Sequence, residues 1–345
     1  MTLRKVKSLA CILVTGMFAG CFSVGATAQQ TTNPTSESAA FVLSPYKYVK
    51  NEMAWNHQQL TTSVTGKPTS FLAVIPPRLN TVTLAFATGE CGKETWEGLS
   101  GQDFADANIG PLVSAGKKYI ISTGGQAGNF TCASDVGFRQ FIERYQTTHL
   151  LGFDFDIEAD QSVEQIDQLM LRIHAAQIAY PNLRFSFTLP TLAIVDKSAL
   201  GTIGVTVMNA IHRAGLTHYY INLMVMDYGV TSSEACVVGA DGKCDMGRSA
   251  IQAALNLHSF WNVPFAQIEL TPMIGGNDTE DETFDLKDVA TISAFARQYK
   301  LAGIHYWSID RDTDCAPGAA SPTCNTYGKA GVLGFTNAFL QHLAH

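Results

Sequence analysis

The sequence is short of positive charge. Its 345 residues carry 23 Lys and Arg against 30 Asp and Glu, which gives a formal net charge of −7 at pH 7. An acidic chain is repelled by phosphate backbones and by anionic lipid headgroups. The charge balance therefore argues against a nucleic-acid-binding protein and against attachment to an anionic membrane surface.

Motifs for common cofactors and metals are also missing. The glycine-rich stretch STGGQAG (residues 122–128) has neither dinucleotide nor P-loop spacing, and no lysine follows it. The chain has no Cys-x-x-Cys pair, and its nine histidines are scattered without the spacing of zinc ligands. We therefore predict no cofactor and no metal ion.

One long apolar run is present, and it lies near the start of the chain. A basic segment precedes the apolar stretch from Leu9 to Val24, and Ala26-Thr27-Ala28 resembles a cleavage site. This pattern predicts a signal peptide over residues 1–28, then a polar, flexible lead over residues 29–40. We expect a secreted protein, extracellular or periplasmic. Lipidation of Cys21 is an alternative hypothesis, and no other segment is apolar enough to cross a bilayer.

Export would place the cysteines in an oxidising compartment, which favours disulfides. The chain has eight cysteines, and all but two lie beyond residue 28. Spacing favours two short loops, Cys236 to Cys244 and Cys315 to Cys324, and that choice leaves Cys91 with Cys132. Six cysteines allow fifteen connectivities, so the sequence alone leaves the pairing open.

Stretches rich in β-branched and aromatic residues recur along the chain and predict strands at residues 41–49, 80–88, 118–122, 150–158, 183–189, 217–227, 267–274 and 302–309. Helical periodicity occurs between most of them, at residues 138–149, 163–180, 198–214, 249–260, 286–299 and 336–342. Alternating strands and helices indicate a parallel sheet, and eight such units predict a single α/β domain, a (β/α)8 TIM barrel over residues 41–345. The first unit is the weakest, since residues 50–77 give no clear helix. A doubly wound open sheet is the alternative.

The stretch LGFDFDIEAD (residues 151–160) places Asp154, Asp156 and Glu158 at alternate positions between apolar residues. A strand would turn these three acids to one face, about 6 to 7 Å apart. Like charges at that spacing in a partly desolvated barrel mouth repel, so at least one acid should hold a proton near neutral pH. A protonated glutamate can serve as the general acid for glycosidic cleavage.

Two other predicted strand ends carry polar and aromatic side chains, MVMDYG at residues 224–229 and HYWS at residues 305–308. Catalytic residues of a (β/α)8 barrel lie at this end of the strands. The acids could instead line a solvated rim or bind a cation. A calcium loop would need Gly where Ala159 stands and Glu where Gln165 stands, and the convergence of three strand ends favours an active site.

Together these motifs resemble the family 18 glycoside hydrolases, the chitinases, and in particular a bacterial branch of that family. The resemblance runs from Phe41 to the C-terminus. Its motifs occur in order: Ser122-x-Gly124-Gly125, Asp154-x-Asp156-x-Glu158, Met224-x-Met226-Asp227-Tyr228-Gly229, then residues 271–278 (TPMIGGND) and 306–312 (YWSIDRD).

The resemblance implies a mechanism. Glu158 would protonate the glycosidic oxygen, and the substrate's own 2-acetamido oxygen would attack the anomeric carbon to give an oxazolinium ion and net retention. Asp156 would orient the acetamido group and turn between Asp154 and Glu158 as their shared proton moves. No enzyme nucleophile is implied.

The resemblance also implies the substrate-binding residues, which are Asp227, Tyr228, Trp307, Met224 and Gly125. Asp227 would contact the sugar and its acetamido group, and Trp307 would form the apolar floor under the sugar. Many family members have a tyrosine where Met226 stands, and its hydroxyl helps to hold the acetamido group. Methionine cannot donate that hydrogen bond, so either Tyr228 replaces it or the site is slower. Trp96 is either an exposed sugar platform or a packed loop residue.

The sequence thus predicts a monomeric, endo-acting chitinase whose partners are chitin or N-acetylglucosamine oligosaccharides. About thirty residues separate the seventh-strand motif from Trp307, which leaves no room for an inserted domain and favours an open cleft. An endo-β-N-acetylglucosaminidase acting on N-glycans would use the same acids and is one alternative. A non-catalytic sugar-binding protein on the same barrel is another.

Overall fold

Eight parallel strands close into a barrel in the computed structural model, which describes residues 40–194 and 197–344. The strands are β1 (Val42–Tyr48), β2 (Thr81–Ala87), β3 (Lys118–Gly124), β4 (Leu150–Asp156), β5 (Arg184–Pro190), β6 (Tyr220–Met224), β7 (Ile268–Thr271) and β8 (Gly303–Tyr306). Each strand pairs with its neighbour in sequence, and β8 pairs with β1 to close the barrel. The predicted (β/α)8 barrel is confirmed.

Helices pack around the barrel. They are α1 (Gly101–Ser114), α2 (Asp135–Tyr145), α3 (Val163–Ala179), α4 (Thr202–Ala214), α5 (Met246–Trp261), α6 (Leu286–Tyr299) and α7 (Gly334–His342). Single helical turns occur at Phe71–Val74, Phe265–Gln267 and Ile309–Arg311. Between β1 and β2 the chain forms a small antiparallel sheet instead of a long helix, from Met53–Ala54, Gln59–Thr62 and Thr69–Ser70. This agrees with the absence of a helical pattern there.

Short paired segments lie in the loops at the carboxyl end of the barrel. Gly89–Glu90 pairs with Phe130–Thr131, Thr95–Trp96 with Leu99–Ser100, and Gly275–Gly276 with Thr283–Phe284. They follow β2, β3 and β7, so they shape the loops on the side of the barrel where active sites of this fold are found.

Helix α1 was not predicted from the sequence. Gly101, Gly110 and Pro111 lower its helical propensity and interrupt the periodic pattern. The helix nevertheless has an N-cap, since the Ser100 side chain accepts a hydrogen bond from the Asp103 N–H. Burial of Phe104 and Leu112 against the core then overrides the weak local preference.

Strand β4 shows why its acids and aromatic residues alternate. Phe153 and Phe155 face the helices and are almost fully buried. The Phe153 ring lies 4.8 Å from that of Phe141 in α2, measured between centroids. The opposite face of the strand carries Asp154 and Asp156, which point into the barrel. The predicted strand is thus present, although it ends at Asp156 rather than at residue 158.

All three predicted disulfides are confirmed: Cys91–Cys132, Cys236–Cys244 and Cys315–Cys324. The first closes 41 residues and joins the loop after β2 to the loop after β3. Trp96, five residues after Cys91, is fully buried. Its ring stacks on Phe104 at 3.8 Å and its N–H donates to the Tyr145 hydroxyl, so Trp96 is a packed loop residue.

The predicted signal peptide at residues 1–28 and the lead at residues 29–40 lie outside the described residues, except for Ala40. The hypothesis of lipidation at Cys21 also concerns that segment. Across residues 40–194 and 197–344, none of the helices has both the length and the hydropathy of a membrane span.

We predict that Phe153→Ala destabilises the fold by about 3–5 kcal/mol, because it leaves a cavity between β4 and α2. The measurement is the free energy of unfolding in urea. Val136→Ala is the matched control, since Val136 lies on α2 but is 60% exposed, and it should change that free energy by no more than about 0.5 kcal/mol. Equal losses in both variants would contradict the packing described for β4.

Candidate active site

A cavity of about 400 Å³ opens at the carboxyl ends of the barrel strands. Its wall includes Tyr48 at the end of β1, Asp156 at the end of β4, Met224 at the end of β6 and Thr271 at the end of β7. The volume lies in the range of small-molecule sites, and the position matches that of active sites in this architecture.

The cavity brings together most of the residues singled out in the sequence. Those on its wall are Asp156, Glu158, Met224, Asp227 and Trp307. Three others are not on the wall: Asp154, Gly125 and Tyr228. Asp154 lies beneath the cavity, Tyr228 packs in the core and Gly125 lies behind the wall.

Asp154 lies beneath the cavity, inside the barrel, and is 2% exposed. Four hydroxyl groups donate to its carboxylate: Tyr46 and Ser122 to Oδ2, at 2.9 and 2.6 Å, and Ser186 and Thr188 to Oδ1, both at 2.8 Å. Burial raises the pKa of Asp154, while the hydrogen bonds from Ser122 and Thr188 oppose that rise. Four donors and no acceptor match the ionised carboxylate, which only accepts hydrogen bonds.

Asp156 is the next inward acid and has a different environment. It is 7% exposed, and its Oδ1 atom finds no hydrogen-bond partner among the described residues. Burial, then the charges of Glu158 and Asp154, raise its pKa well above the ordinary value. We infer that Asp156 is the acid of this pair that holds a proton when Asp154 is ionised, because it lacks the donors that stabilise a carboxylate.

Glu158 lies two residues beyond the end of β4 yet stays at the rim. The Ile157 N–H donates to the Thr188 carbonyl at 3.0 Å, which extends the chain beside β5 for one more residue. Burial, followed by the charge of Asp227, raises the pKa of Glu158 from 4.5 to about 7. A carboxylic acid with this pKa is protonated in a substantial fraction of molecules at neutral pH, as a general acid requires.

Asp227 lines the cavity with its backbone in the left-handed region, at φ +50°. Its Oδ1 accepts a hydrogen bond from the Thr279 N–H at 3.0 Å, and burial raises the pKa of the carboxyl group. The left-handed residue breaks the alternation of the strand, so the following residue does not return to the inner face.

Tyr228 is that following residue, and its placement differs from the prediction. Its side chain is 4% exposed and packs in the hydrophobic core. The hydroxyl has no hydrogen-bond partner among the described residues and is not on the cavity wall. The geometry therefore gives no support to a contact between this hydroxyl and a sugar. Met226 does line the cavity, and the hydroxyls on the wall belong to Tyr46, Tyr48, Thr88, Thr188 and Thr271.

Gly125 supports the site from behind. Its φ is +80°, and a Cβ atom at this position would lie 2.7 Å from the Phe86 ring. The Gly125 N–H donates to the Asp156 carbonyl at 3.1 Å. Glycine here lets the loop after β3 approach β4 and Phe86 closely, which larger residues would prevent. Gly124, its neighbour, is the member of the pair on the cavity wall.

Trp307 lies in a cluster of aromatic rings that the sequence analysis did not identify. Phe86 stacks on it at 5.7 Å and 14°, and Tyr48 and Tyr46 lie 5.1 and 5.9 Å away, between centroids. All four line the cavity. The signal was present at the end of β1, where Tyr46 and Tyr48 occupy alternate positions and so face the same side.

The acids in this cavity suit proton transfer to and from a polar ligand, and the aromatic rings suit the apolar face of a sugar. No group of three or more His, Cys, Asp or Glu in the described part of the chain is arranged to hold a metal ion. The cavity thus combines acids that can transfer protons with a wall of aromatic rings.

No family model matches the chain. Two curated sequences do. A probable bifunctional chitinase/lysozyme of Escherichia coli (strain K12) is 28% identical over 258 residues, which cover 68% of this chain and 28% of that protein. Endochitinase 11 of Metarhizium anisopliae is 27% identical over 259 residues, 69% of this chain and 48% of that protein. The chain therefore spans less than half the length of these relatives.

Solved structures share the fold. The catalytic domain of a hyperthermophilic chitinase from Pyrococcus furiosus has a TM-score of 0.65 at 24% identity, covering 88% of this chain and 95% of that one. Mutants of active domain 2 of a P. furiosus chitinase, complexed with chito-oligosaccharides, give 0.66 at 23% identity over 88% and 95%. The group IV chitinase of Ostrinia furnacalis gives 0.54 at 13% identity over 89% and 100%.

We predict that the Glu158 carboxyl titrates near pH 7, protonated below and ionised above, since burial and Asp227 raise its pKa to about 7. The measurement is the ¹³C NMR shift of the Glu158 carboxyl carbon against pH. Asp227→Asn removes a nearby negative charge and should lower this pKa. A titration near the ordinary 4.5 in the wild type would contradict the described electrostatics.

Proposed function

We propose that this chain, a relative of chitinases in sequence with the (β/α)8 barrel of the family 18 glycoside hydrolases, hydrolyses β-1,4 bonds between N-acetylglucosamine residues. The observation that carries the proposal is the position of Glu158. This acid, with a pKa of about 7, shares one cavity with Asp156, Asp227 and the aromatic cluster around Trp307. The sequence relationship to two curated chitinases supports the substrate class.

In the first step, protonated Glu158 donates its proton to the glycosidic oxygen as the bond from that oxygen to the anomeric carbon breaks. The acetamido carbonyl oxygen of the same sugar forms a bond to the anomeric carbon on the opposite face. The product is a cyclic oxazolinium ion with a free leaving sugar. Substrate assistance of this kind is a recognised exception to the two-carboxylate scheme of glycosidases.

Asp156 supports the ion by its position and its proton. The Asp156 side chain lines the cavity next to Glu158, and Asp154 below it is saturated with hydroxyl donors. Because the ionised Asp154 carboxylate has no proton to give, Asp156 is the acid that can exchange a proton with Glu158 at the rim. When Glu158 has given up its proton, the neighbouring Asp156 can donate a hydrogen bond to the Glu158 carboxylate. Once Asp156 has passed on its proton, its carboxylate can accept a hydrogen bond from the N–H of the oxazolinium ion.

In the second step, water attacks the anomeric carbon and the bond to the acetamido oxygen breaks. Glu158, now ionised, takes a proton from that water and returns to its starting state. Two displacements at one carbon give net retention. Trp307 and Phe86 supply an apolar floor for the sugar ring.

Endo action and export belong to this proposal as well. Only the short paired segment and helix α6 lie between β7 and β8, so no inserted domain walls the cleft there. An open cleft lets a polymer pass through and favours internal cuts. The N-terminal apolar run at residues 9–24 supports secretion.

We predict that Glu158→Gln retains the fold and lowers kcat on a chito-oligosaccharide by at least about 10²-fold, because an amide cannot supply the proton. Glu164→Gln, an exposed position at the start of α3, is the matched control and should keep wild-type activity. The same enzymes are assayed on a high-mannose glycopeptide. Cleavage of the glycopeptide alone would indicate an N-glycan hydrolase, and cleavage of neither would indicate a sugar-binding protein.

Asp156→Asn should lower kcat by about 10²-fold while KM changes little, since its contribution is to the charged intermediate more than to the bound substrate. Steady-state kinetics on a defined oligosaccharide separates the two constants. Asp160→Asn changes an exposed acid four residues further on and serves as the control. A raised KM with unchanged kcat would count against the role given to Asp156.

A further inference from the structure

After β7 the chain turns back on itself as a paired segment that forms hydrogen bonds with Asp227. Gly275–Gly276 pairs with Thr283–Phe284 in antiparallel fashion, and we call residues 275–284 the β7 hairpin. Its loop contacts Asp227, which belongs to the segment after β6. The contacts involve both the backbone and the carboxylate of Asp227.

The backbone contacts fix an uncommon conformation. Asp227 has a φ of +50°, which residues other than glycine adopt infrequently. The Asp227 N–H donates to Asn277 Oδ1 at 3.3 Å, and the Tyr228 N–H donates to Glu282 Oε2 at 3.1 Å. Two side chains of the β7 hairpin thus hold two consecutive backbone amides.

The carboxylate contacts fix the direction of the Asp227 side chain. The Thr279 N–H donates to Asp227 Oδ1 at 3.0 Å. This donor belongs to the loop of the β7 hairpin. The hairpin therefore sets where the acid of a different loop points within the cavity.

Asn277 and Glu282 are themselves held firmly. Asn277 is 5% exposed, and its Nδ2 donates to the carbonyls of Met273 and Gly275, each at 3.0 Å. Glu282 is 1% exposed, and its carbonyl accepts from the Asn277 N–H at 2.9 Å. An amide with both of its ends engaged cannot rotate without breaking a bond, so Asn277 presents one oxygen toward Asp227.

The root of the hairpin is tied to the loop that carries Trp307. Arg311, which is 1% exposed, donates from its guanidinium to the carbonyls of Ile274 and Gly276. Asp227, the β7 hairpin and the segment after β8 are therefore joined through hydrogen bonds.

We propose that Asn277 and Glu282 are positioning residues that hold Asp227 in its left-handed conformation, with its carboxylate directed at the substrate. The inference rests on the proposed function, because it gives Asp227 a sugar to contact. Neither side chain touches the substrate, since neither lies on the cavity wall. They act through Asp227 alone.

The test is kinetic and uses the full chain with a chito-oligosaccharide. Asn277→Ala and Glu282→Ala should each lower kcat by about 10- to 10²-fold, as expected when a reacting group is misplaced by about 1 Å, with a smaller change in KM. Glu282→Gln retains an acceptor oxygen and should restore most of kcat. Glu280→Ala is the matched control, because Glu280 is an exposed acid in the same loop, and it should keep wild-type kinetics.

A double-mutant cycle separates positioning from general stabilisation. If the two residues act through Asp227, adding Glu282→Ala or Asn277→Ala to Asp227→Ala should change kcat by less than about twofold. A residue that only supports the fold would lower kcat in both backgrounds and would not be rescued by Glu282→Gln. Thermal unfolding of every variant identifies those that are folded. If Asn277→Ala does not fold, Asn277→Ser replaces it, and if Glu282→Ala does not fold, Glu282→Gln is compared with the wild type alone.

Wild-type kcat in folded Asn277 and Glu282 variants, or additive losses in the Asp227→Ala background, would overturn the inference while the proposed function stands. A wild type that cleaves neither the chito-oligosaccharide nor a high-mannose glycopeptide would overturn the proposed function and the inference together. Non-additive losses with rescue by Glu282→Gln would support the inference.

Discussion

The burial of one carboxylate among four hydroxyl groups is the constraint on which the rest of the site depends. Asp154 lies inside the barrel with both oxygens occupied by donors, so its charge is tolerated in a place without water contact. That charge helps to raise the pKa of Asp156 above it. Burial and the charge of Asp227 raise the pKa of Glu158, at the rim, to about 7.

The carboxyl end of the barrel adds the rest through loops that support one another. The loop after β3 approaches β4 through two glycines with positive φ, and the β7 hairpin holds the segment after β6. Arg311 links that hairpin to the segment carrying Trp307. The (β/α)8 barrel places the carboxyl ends of all strands on one side. Hydrogen bonds between the loops that follow the strands then hold those loops in place around the cavity.

Individual residues show how far prediction from sequence reached. Trp307 and Asp227 were expected in the cavity and are there. Trp307 follows the alternation of β8, whereas Asp227 reaches the cavity although alternation after Met224 and Met226 would turn it outward. Tyr228 was expected beside them and lies in the core instead, since the left-handed conformation of Asp227 interrupts that alternation. Helix α1 was missed because Gly101 and Pro111 mask a segment that core packing stabilises.

The sequence by itself determined the eight strands, six of the helices and the acidic face of β4, because these depend on periodicity, and its cysteine spacing favoured the three disulfides. Only the tertiary structure decided which acid is saturated with hydroxyl donors, which aromatic rings surround Trp307 and which loop holds Asp227. Those contacts join residues far apart in the chain, such as Tyr46 with Asp154 and Tyr228 with Glu282. Pairings of that kind follow from the closure of the barrel, which no local pattern encodes.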